Sequence, residues 1–355
     1  MTETIIRIPS QELEELIAQK LIAAGLREDF AEEMAEHLTY ADRRGIHSHG
    51  AVRVEYYAER IAKGGLTIDP VCRFEQTGPS CGIYHGDNTV GHVVAKRGME
   101  EAIALAKETG IGVVGIKRMG HSGALSYYVD LAARQEMVAL SFCQSDPMVV
   151  PFGGAEYYFG TNPIAFAAPT NNERPIVFDM ATTVQAWGKV LDARSKNNAI
   201  PNDWAVDELG NPTTDPYAVK GLLPIAGPKG YGLMMMVDIL SGALLGLPIG
   251  KHVSSMYEDM TAKRNLGHLH IVINPAHFTN PADFKNQLSQ MIDELHQIKP
   301  RHGFEEVLYP GELSERKALE NEASGIPIAK QVYDYLISDT VHHNHYENAN
   351  AFAEK

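Results

Sequence analysis

The pattern of hydrophobic and polar positions divides the chain into a helical opening and a longer part in which strands and helices alternate. In the first 70 residues, apolar side chains recur at helical spacing, as at Leu13, Ile17 and Leu21. Residues three or four positions apart lie on one face of a helix, and a glycine follows each of the three such stretches. We therefore predict an all-helical N-terminal region.

Beyond residue 70, short apolar runs alternate with helical patterns. The predicted strands are 71–75, 82–85, 111–116, 138–142, 164–168, 176–178 and 269–273. The predicted helices are 93–107, 124–136, 183–194, 231–245, 283–296 and 329–337, and the segments 195–228 and 300–327 are predicted to be irregular. Strands that alternate with helices predict an α/β fold, in which helices cover a sheet.

Two glycine-flanked segments carry histidines. His121 lies in the segment 117–123, between an apolar run and a helical pattern. Such strand-to-helix turns form the ligand-binding edge of open α/β sheets. His49 lies beside Ser48 in the segment 45–50, between two predicted helices. Because imidazole titrates near neutral pH, His121 and His49 are candidate acid–base groups, and a plain surface turn is the alternative.

Arg53 follows His49 by four residues, at the start of a predicted helix. A guanidinium group binds a carboxylate through two parallel hydrogen bonds. A base beside a carboxylate-binding arginine is what the oxidation of a 2-hydroxy acid requires. The alternative for Arg53 is a surface ion pair with Glu55 or Glu59.

The glycines at 110, 112 and 115 match G-x-G-x-x-G, but their context does not fit a dinucleotide-binding turn. That fingerprint needs a strand, then the glycine turn, then a helix. Here a predicted helix precedes the glycines, and the glycines run into the predicted strand. We conclude that any dinucleotide binds without this Rossmann motif.

Two helix starts are further candidate ligand sites. Lys229 lies in a Gly-Pro-Lys-Gly sequence that opens the predicted helix 231–245, where free backbone N–H groups favour an anion. Asp179 follows the predicted strand 176–178. It could accept hydrogen bonds from ribose hydroxyls or cap the next helix, and both interpretations stay open.

Composition narrows the classes of function. The formal net charge is −14, which leaves no electrostatic basis for nucleic-acid binding. Three cysteines without a Cys-x-x-Cys motif indicate neither a disulfide scaffold nor a zinc ribbon. The longest apolar stretch, 233–249, includes Asp238 and Pro248, so it predicts a buried core helix and not a membrane span, and we expect a cytoplasmic protein.

Two other classes of enzyme are alternatives. His47, His49, His121 and Asp146 could form a metal site of a lyase or hydrolase, although the chain lacks a His-x-x-x-His pairing. A serine hydrolase is disfavoured because Gly120-His-Ser-Gly123 lacks the spacing of a Gly-x-Ser-x-Gly elbow, and Gly78-Pro-Ser lies in a predicted turn between two strands. The histidines at 342–345 are expected to lie in a disordered, solvated terminus without a metal.

Several motifs, spread over residues 10–340, together resemble the malate/L-lactate dehydrogenase type-2 oxidoreductases. They are Gly45-Ile-His-Ser-His-Gly50 with Arg53, Met119-Gly-His-Ser-Gly123, Gly160-Thr-Asn-Pro163, Asp179-Met-Ala-Thr182, Gly227-Pro-Lys-Gly-Tyr-Gly232 and Tyr309-Pro-Gly-Glu312. The resemblance implies a non-Rossmann NAD(P)-binding sheet and a cytoplasmic homodimer without a metal. It also implies hydride transfer from a small 2-hydroxy acid to NAD, with NADP not excluded.

The resemblance also implies roles for individual residues. His121 would be the acid–base group, with His49 as the alternative proton shuttle. His49, Arg53 and Tyr57 would line the substrate side, with Ser48 beside them. The residues implied to contact the cofactor are Ser145, Asp179, Met180, Ala181, Lys229, Gly311, Glu312 and Leu313.

Two further expectations follow from the resemblance. Residues 1–70 and 313–355 would form a helical region on the substrate side that also dimerises, and residues 71–312 would bind the cofactor. The segments 143–154 and 184–189 are similar to family members whose substrate carries N–H donors opposite its carboxylate. We predict that Asp146 accepts hydrogen bonds from these N–H groups, since Arg53 suits the carboxylate.

Overall fold

The computed structural model describes residues 4–172 and 174–346. Its strands are β1 (Ile5–Ile8), β2 (Arg73–Gly78), β3 (Cys81–His85), β4 (Ile111–Met119), β5 (Val138–Cys143), β6 (Ile164–Ala168), β7 (Ile176–Met180), β8 (Ala205–Val206), β9 (Gly221–Leu222), β10 (Leu266–Ile273) and β11 (Ile326–Ala329). Its α-helices are α1 (Ser10–Ala23), α2 (Glu28–Arg43), α3 (Val54–Ala62), α4 (Gly91–Thr109), α5 (Ser126–Ala133), α6 (Trp187–Ser195), α7 (Pro228–Ser241), α8 (Pro281–Gln297), α9 (Glu312–Ser324) and α10 (Lys330–Ile337). Short 3₁₀ turns at His47–His49 and Ala51–Arg53 join α2 to α3.

A seven-stranded sheet in the order β2-β3-β4-β10-β5-β6-β7 forms the centre of the molecule. Only the β3–β4 pair is parallel, and β10 runs antiparallel to both of its neighbours, with Ile271 opposite Val113 and Leu140. This order differs from a doubly wound parallel sheet. The glycines at 110, 112 and 115 lie at the end of α4 and within β4. The predicted α/β fold without a Rossmann turn is therefore confirmed.

The two ends of the chain meet outside this sheet. Strands β1 and β11 pair antiparallel, with Ile6 opposite Ile328, so the prediction that the N-terminal region is all helical is wrong at β1. Helix α1 contacts α10, and α2 contacts α9. Leu13, Ile17 and Phe30 are fully buried in the core that these elements share. The division into a terminal region and a cofactor domain stays a prediction, and residues 1–3 and 347–355 lie outside the described ranges.

The prediction that residues 300–327 are irregular is wrong, because α9 occupies Glu312–Ser324. The buried positions of this helix are Glu312, Ala318 and Asn321. Two of these three side chains are polar and the third is small. The helix therefore lacks the apolar stripe on which sequence periodicity depends.

The prediction of a fully buried core helix at 231–245 is also wrong. In α7, Met234 and Val237 are buried, but Leu233 is 39% exposed and Ile239 is 50% exposed. A helix with apolar residues on every face resembles a core helix in sequence, whereas here only one face packs inside the chain. No helix in the described ranges is long and apolar enough to cross a membrane.

A chain of buried polar groups crosses the middle of the sheet. His270 Nε2 lies 3.0 Å from the carbonyl oxygen of Ala95, which only accepts, so Nε2 carries the proton. The unprotonated Nδ1 then accepts from the hydroxyl of Ser141 at 3.1 Å, and Ser141 in turn accepts from His268 Nε2 at 2.6 Å. The hydroxyl of Ser122 completes the chain at His268 Nδ1, 3.4 Å away. Each ring is thus held neutral in one tautomer.

The buried histidines in this series of hydrogen bonds predict that the protein loses stability in mild acid. Burial lowers the pKa of His270 to about 3 and that of His268 well below its usual value. Below about pH 6.5 the unfolded chain therefore binds more protons than the folded chain, and the free energy of unfolding decreases. We expect a loss of about 1.4 kcal/mol per pH unit for each such histidine.

Urea unfolding between pH 7.5 and pH 5 measures this effect. A His270→Gln variant is less stable at neutral pH but should show a shallower pH dependence than the unmodified chain. Equal slopes for both chains would show that His270 takes no part in the acid response.

Candidate active site

One cavity of about 570 Å³ brings together most of the residues predicted for the site. It lies where the 3₁₀ turns before α3 face the carboxyl ends of β4 and β7. The predicted residues in its lining are Ser48, His49, Arg53, His121, Ser145, Asp146, Asp179, Met180, Ala181 and Gly311. Tyr57, Lys229, Glu312 and Leu313 lie outside the lining.

The turn after β4 positions His121. Gly123 has φ +68°, a backbone conformation that L side chains rarely adopt. A Cβ atom there would lie 2.7 Å from Nε2 of His92 and would also overlap the ring of His37. Glycine therefore lets the turn pack directly against two buried histidines, as expected for this segment.

Tyr57 fixes the orientation of the His121 ring. Its hydroxyl lies 2.7 Å from His121 Nδ1 and 3.4 Å from His92 Nε2. The backbone N–H of Gly123 also donates to this Nδ1, at 3.3 Å. For His121 Nε2 to accept a proton, the ring hydrogen must lie on Nδ1 and donate to the tyrosine oxygen in place of that contact. Tyr57 thus acts as a positioning residue behind His121.

Burial lowers the pKa of both cavity histidines. Burial, followed by the neighbouring His49 and His92, lowers the pKa of His121 well below its usual value. Burial and then Arg53 lower the pKa of His49 to about 4. The two rings are nearly parallel, with centroids 5.8 Å apart. Either ring can therefore accept a proton, and the geometry does not choose between them.

Asp42 holds the segment that carries His49. Its buried carboxylate accepts from His47 Nδ1 at 2.7 Å and from the backbone N–H of Ala51 at 2.6 Å. A Cβ atom on Gly50 would overlap this carboxylate. The glycine therefore allows the backbone to close over Asp42. Ser48 then contacts His49, with its hydroxyl 2.9 Å from the ring Nδ1.

Arg53 is held by neutral groups. Its Nε donates to the carbonyl of Ser48 at 2.8 Å, and its Nη1 donates to the hydroxyl of Tyr257 at 2.6 Å. The alternative ion pairs with Glu55 and Glu59 are not among the interactions of the described residues. Because no carboxylate neutralises it there, the guanidinium keeps its charge for an anionic ligand.

Asp146 lies in the lining, but both of its oxygens already have partners. One forms an ion pair with the buried Arg264, and the other accepts from the backbone N–H of Met256 at 2.5 Å. The role of Asp146 as an acceptor for substrate N–H groups therefore stays a prediction. Any such hydrogen bond would use the remaining lone pairs.

Sequence reasoning missed Arg264 and Tyr257, which both line the cavity. They come from the segment 254–265, in which hydrophobic residues do not recur at the spacing of a strand or a helix. The only local signal is the Lys263-Arg264 pair just before the predicted strand 269–273. Buried His92 was missed too, because an apolar helix surrounds it in the sequence.

The opposite end of the cavity contains the residues predicted for the cofactor. The hydroxyl of Ser145 lies 3.0 Å from that of Thr161. Asp179 is exposed, and one of its oxygens accepts from the backbone N–H of Ser126 at 2.8 Å. Its other oxygen leaves room for a hydroxyl donor. Met180, Ala181 and Gly311 complete this wall.

Three residues predicted for the cofactor are not brought to this wall. Lys229 is exposed in the first turn of α7. The carboxylate of Glu312 accepts from His296, Arg316 and the N–H of Tyr309, so it stabilises the start of α9. Leu313 is 56% exposed on the outer face of the same helix. Cofactor contacts by these three residues stay a prediction.

The alternative metal centre is not formed by the described residues. His47 is bonded to Asp42, and Asp146 is bonded to Arg264. Within the described ranges, these groups do not gather with His49 and His121 into a set of adjacent ligands. The cavity is therefore a histidine–arginine site with a polar wall opposite.

Such a fold and site define a dehydrogenase of hydroxy acids, and comparison with known proteins agrees. The chain matches the malate/L-lactate dehydrogenase family over residues 8–337 and belongs to it. It is 59% identical to the ureidoglycolate dehydrogenase (NAD(+)) of Escherichia coli K12, over 98% of this chain and 100% of that relative.

More distant relatives carry other names. A malate dehydrogenase of Pyrococcus abyssi is 38% identical over 94% of each chain. The solved sulfolactate dehydrogenase of Methanocaldococcus jannaschii superposes with a TM-score of 0.87 at 35% identity, covering 93% of this chain and 95% of that one. The non-Rossmann sheet is therefore shared across the family.

The Tyr57 hydroxyl gives a direct test of ring positioning. In a Tyr57→Phe variant, His121 loses the partner of its Nδ1, so we expect turnover to decrease by about 10²-fold while the Michaelis constant changes little. Steady-state dehydrogenase kinetics measures both quantities. Tyr333→Phe, in α10 and outside the cavity lining, is the matched control. Turnover that is kept in Tyr57→Phe would rule out the positioning role.

Proposed function

We propose that this protein is an NAD-dependent dehydrogenase that oxidises (S)-ureidoglycolate to oxalurate, in the breakdown of allantoin. The observation that carries the proposal is the pairing of His49 and His121 beside the free charge of Arg53 in one cavity. The name of the relatives that are 58% and 59% identical over their full length supports this substrate.

The chain's own residues supply binding and proton transfer. Arg53 binds the substrate carboxylate through the guanidinium nitrogen that Ser48 and Tyr257 leave free. The secondary hydroxyl lies at Nε2 of His121, which takes its proton as the C–H hydride departs. Tyr57 holds the ring in place and can accept from Nδ1–H in the tautomer whose Nε2 takes the proton. His49 stacks beside it and is the alternative base.

NAD, when bound, accepts the hydride from the carbinol carbon. Asp179 fits such a ligand, because it is exposed in the lining and keeps one carboxylate oxygen for ribose hydroxyls. Ser145, Met180, Ala181 and Gly311 would complete the contact. Lys229, Glu312 and Leu313 remain proposed only as more distant contributors, and NADP is not excluded.

Replacing each histidine tests the assignment of the base. We expect His121→Ala to lower turnover by at least about 10²-fold while NAD binding, followed by fluorescence titration, is kept. His49→Ala should lower turnover less, because it leaves the ring held by Tyr57. His302→Ala, at an exposed position, serves as the control. The reverse order of the two effects would make His49 the base.

The runner-up function is oxidation of another 2-hydroxy acid, such as malate, lactate or sulfolactate. The relatives named malate dehydrogenase and L-sulfolactate dehydrogenase, both 38% identical, favour it. Formation of the reduced cofactor with each substrate, followed by its absorbance with NAD and NADP in parallel, decides between the two. A higher kcat/KM on malate than on ureidoglycolate would overturn the proposed substrate.

Asp146 is proposed to add selectivity for the ureido end of the substrate. Asp146→Asn keeps one oxygen that can accept from the N–H of Met256. It replaces the other carboxylate oxygen by an NH₂ group, which donates and so cannot accept a hydrogen bond from the substrate N–H groups. Sites built for such groups discriminate by up to ~10⁴-fold. We expect kcat/KM to decrease at least about tenfold more on ureidoglycolate than on malate or lactate. Equal losses on all three substrates would contradict the proposal.

We further propose that the protein works in the cytoplasm as a homodimer. The exposed apolar side chains of α7, among them Leu233 and Ile239, support an interface between copies of the chain. Lys229 lies at the start of the same helix. Light scattering at several concentrations measures the molar mass and tests the assembly.

A further inference from the structure

We propose that Glu55, His343 and His345 form a binding site for a divalent transition-metal ion, separate from the active site. The three residues come from the first turn of α3 and from the segment 341–346 after α10. This segment was expected to be disordered, but its described residues lie against α3. The inference does not depend on the proposed substrate or cofactor.

The spacing of the ligand atoms carries the inference. Oε1 of Glu55 lies 2.7 Å from Nδ1 of His343 and 3.5 Å from Nδ1 of His345, and all three atoms lie within 4.8 Å of one another. Around a tetrahedral zinc ion, ligand atoms at normal bond lengths are separated by roughly 3.3 Å. Small side-chain shifts therefore bring all three atoms onto one ion. Elsewhere in the described ranges, no three His, Cys, Asp or Glu side chains converge in this way.

The backbone prepares this arrangement. The N–H of His343 donates to Oε1 of Glu55 at 3.0 Å, which fixes the start of the segment on the helix. Asn344 has φ +58°, a left-handed conformation that asparagine tolerates, and so turns the chain between the two histidines. The two imidazole rings then stack with centroids 5.2 Å apart. Their Nδ1 atoms thus face the same carboxylate.

The donor set indicates which ions suit the site. Imidazole nitrogen favours zinc, nickel and copper, whereas calcium and magnesium prefer oxygen ligands only. Three protein ligands leave one position of a tetrahedron for water. The side chains of His343 and His345 are 47% and 62% exposed, so an ion can enter from solvent.

An ion here would connect the chain end to the active-site wall. Tyr346 stacks on Tyr257 with ring centroids 5.9 Å apart, and its N–H donates to Glu59 at 3.3 Å. Tyr257 in turn accepts the hydrogen bond from Arg53. Metal binding would therefore hold Tyr346 against the tyrosine that positions the substrate-binding arginine.

Isothermal titration of the full chain with Zn²⁺, after removal of metal with a chelator, tests the site. We expect one ion per chain. His343→Ala, His345→Ala and Glu55→Gln should each weaken binding by at least about tenfold. His302→Ala, at an exposed histidine outside the group, should bind as the unmodified chain does. Ca²⁺ and Mg²⁺ should give no saturable signal.

The visible spectrum of bound Co²⁺ provides a second measurement. We expect a tetrahedral absorption band that His343→Ala abolishes, while circular dichroism shows that the variant is folded. No saturable binding, or binding that all three ligand variants keep, would overturn the proposal. Binding that His49→Ala abolishes would also overturn it, because the ion would then occupy the active-site cavity.

Discussion

The hydrogen bond between Tyr57 and His121 is the interaction on which the proposed active site depends. It joins α3 of the N-terminal helical region to the turn after β4 of the sheet. His92, at the start of α4, supports the same hydroxyl from behind. The base is therefore positioned only when the helices and the sheet are packed against each other. A shift of either part would remove the hydroxyl from Nδ1 and leave the ring free to turn.

The histidines around the Tyr57–His121 hydrogen bond are buried in their uncharged form. This burial stabilises the packing and also keeps His121 able to accept a proton. His37 and His92 are each 1% exposed, and burial lowers the pKa of His92 to about 3. A neutral ring costs much less to bury than an imidazolium, so the core under the turn accepts imidazoles without counter-ions. The same environment keeps His121 unprotonated. Desolvation thus produces a base from a residue that would otherwise be half protonated near neutral pH.

The sequence allowed the α/β fold and the two histidine segments to be predicted, because both depend on local patterns. The glycines beside His49 and His121 are short-range signals, and the apolar run that predicts the strand before His121 is uninterrupted. Arg264 reaches the cavity from an irregular segment through tertiary packing, which periodicity does not report. The errors at α7 and α9 have the same origin, since one helix exposes an apolar face and the other buries polar residues.

The substrate side of the cavity is built from segments far apart in the chain. Arg53 precedes α3, Tyr257 comes from the segment before β10, and Tyr346 follows α10. The orientation of the Arg53 guanidinium thus depends on the hydroxyl of Tyr257, and the ring of Tyr257 stacks on Tyr346 near the end of the described residues. The proposed carboxylate binding is therefore coupled to the docking of this segment on α3, whereas the proposed proton abstraction depends on Tyr57 and His92. Different residues thus position Arg53 and His121 within one cavity. Changes in the terminal segment should therefore alter the affinity for the substrate more than the rate of proton transfer.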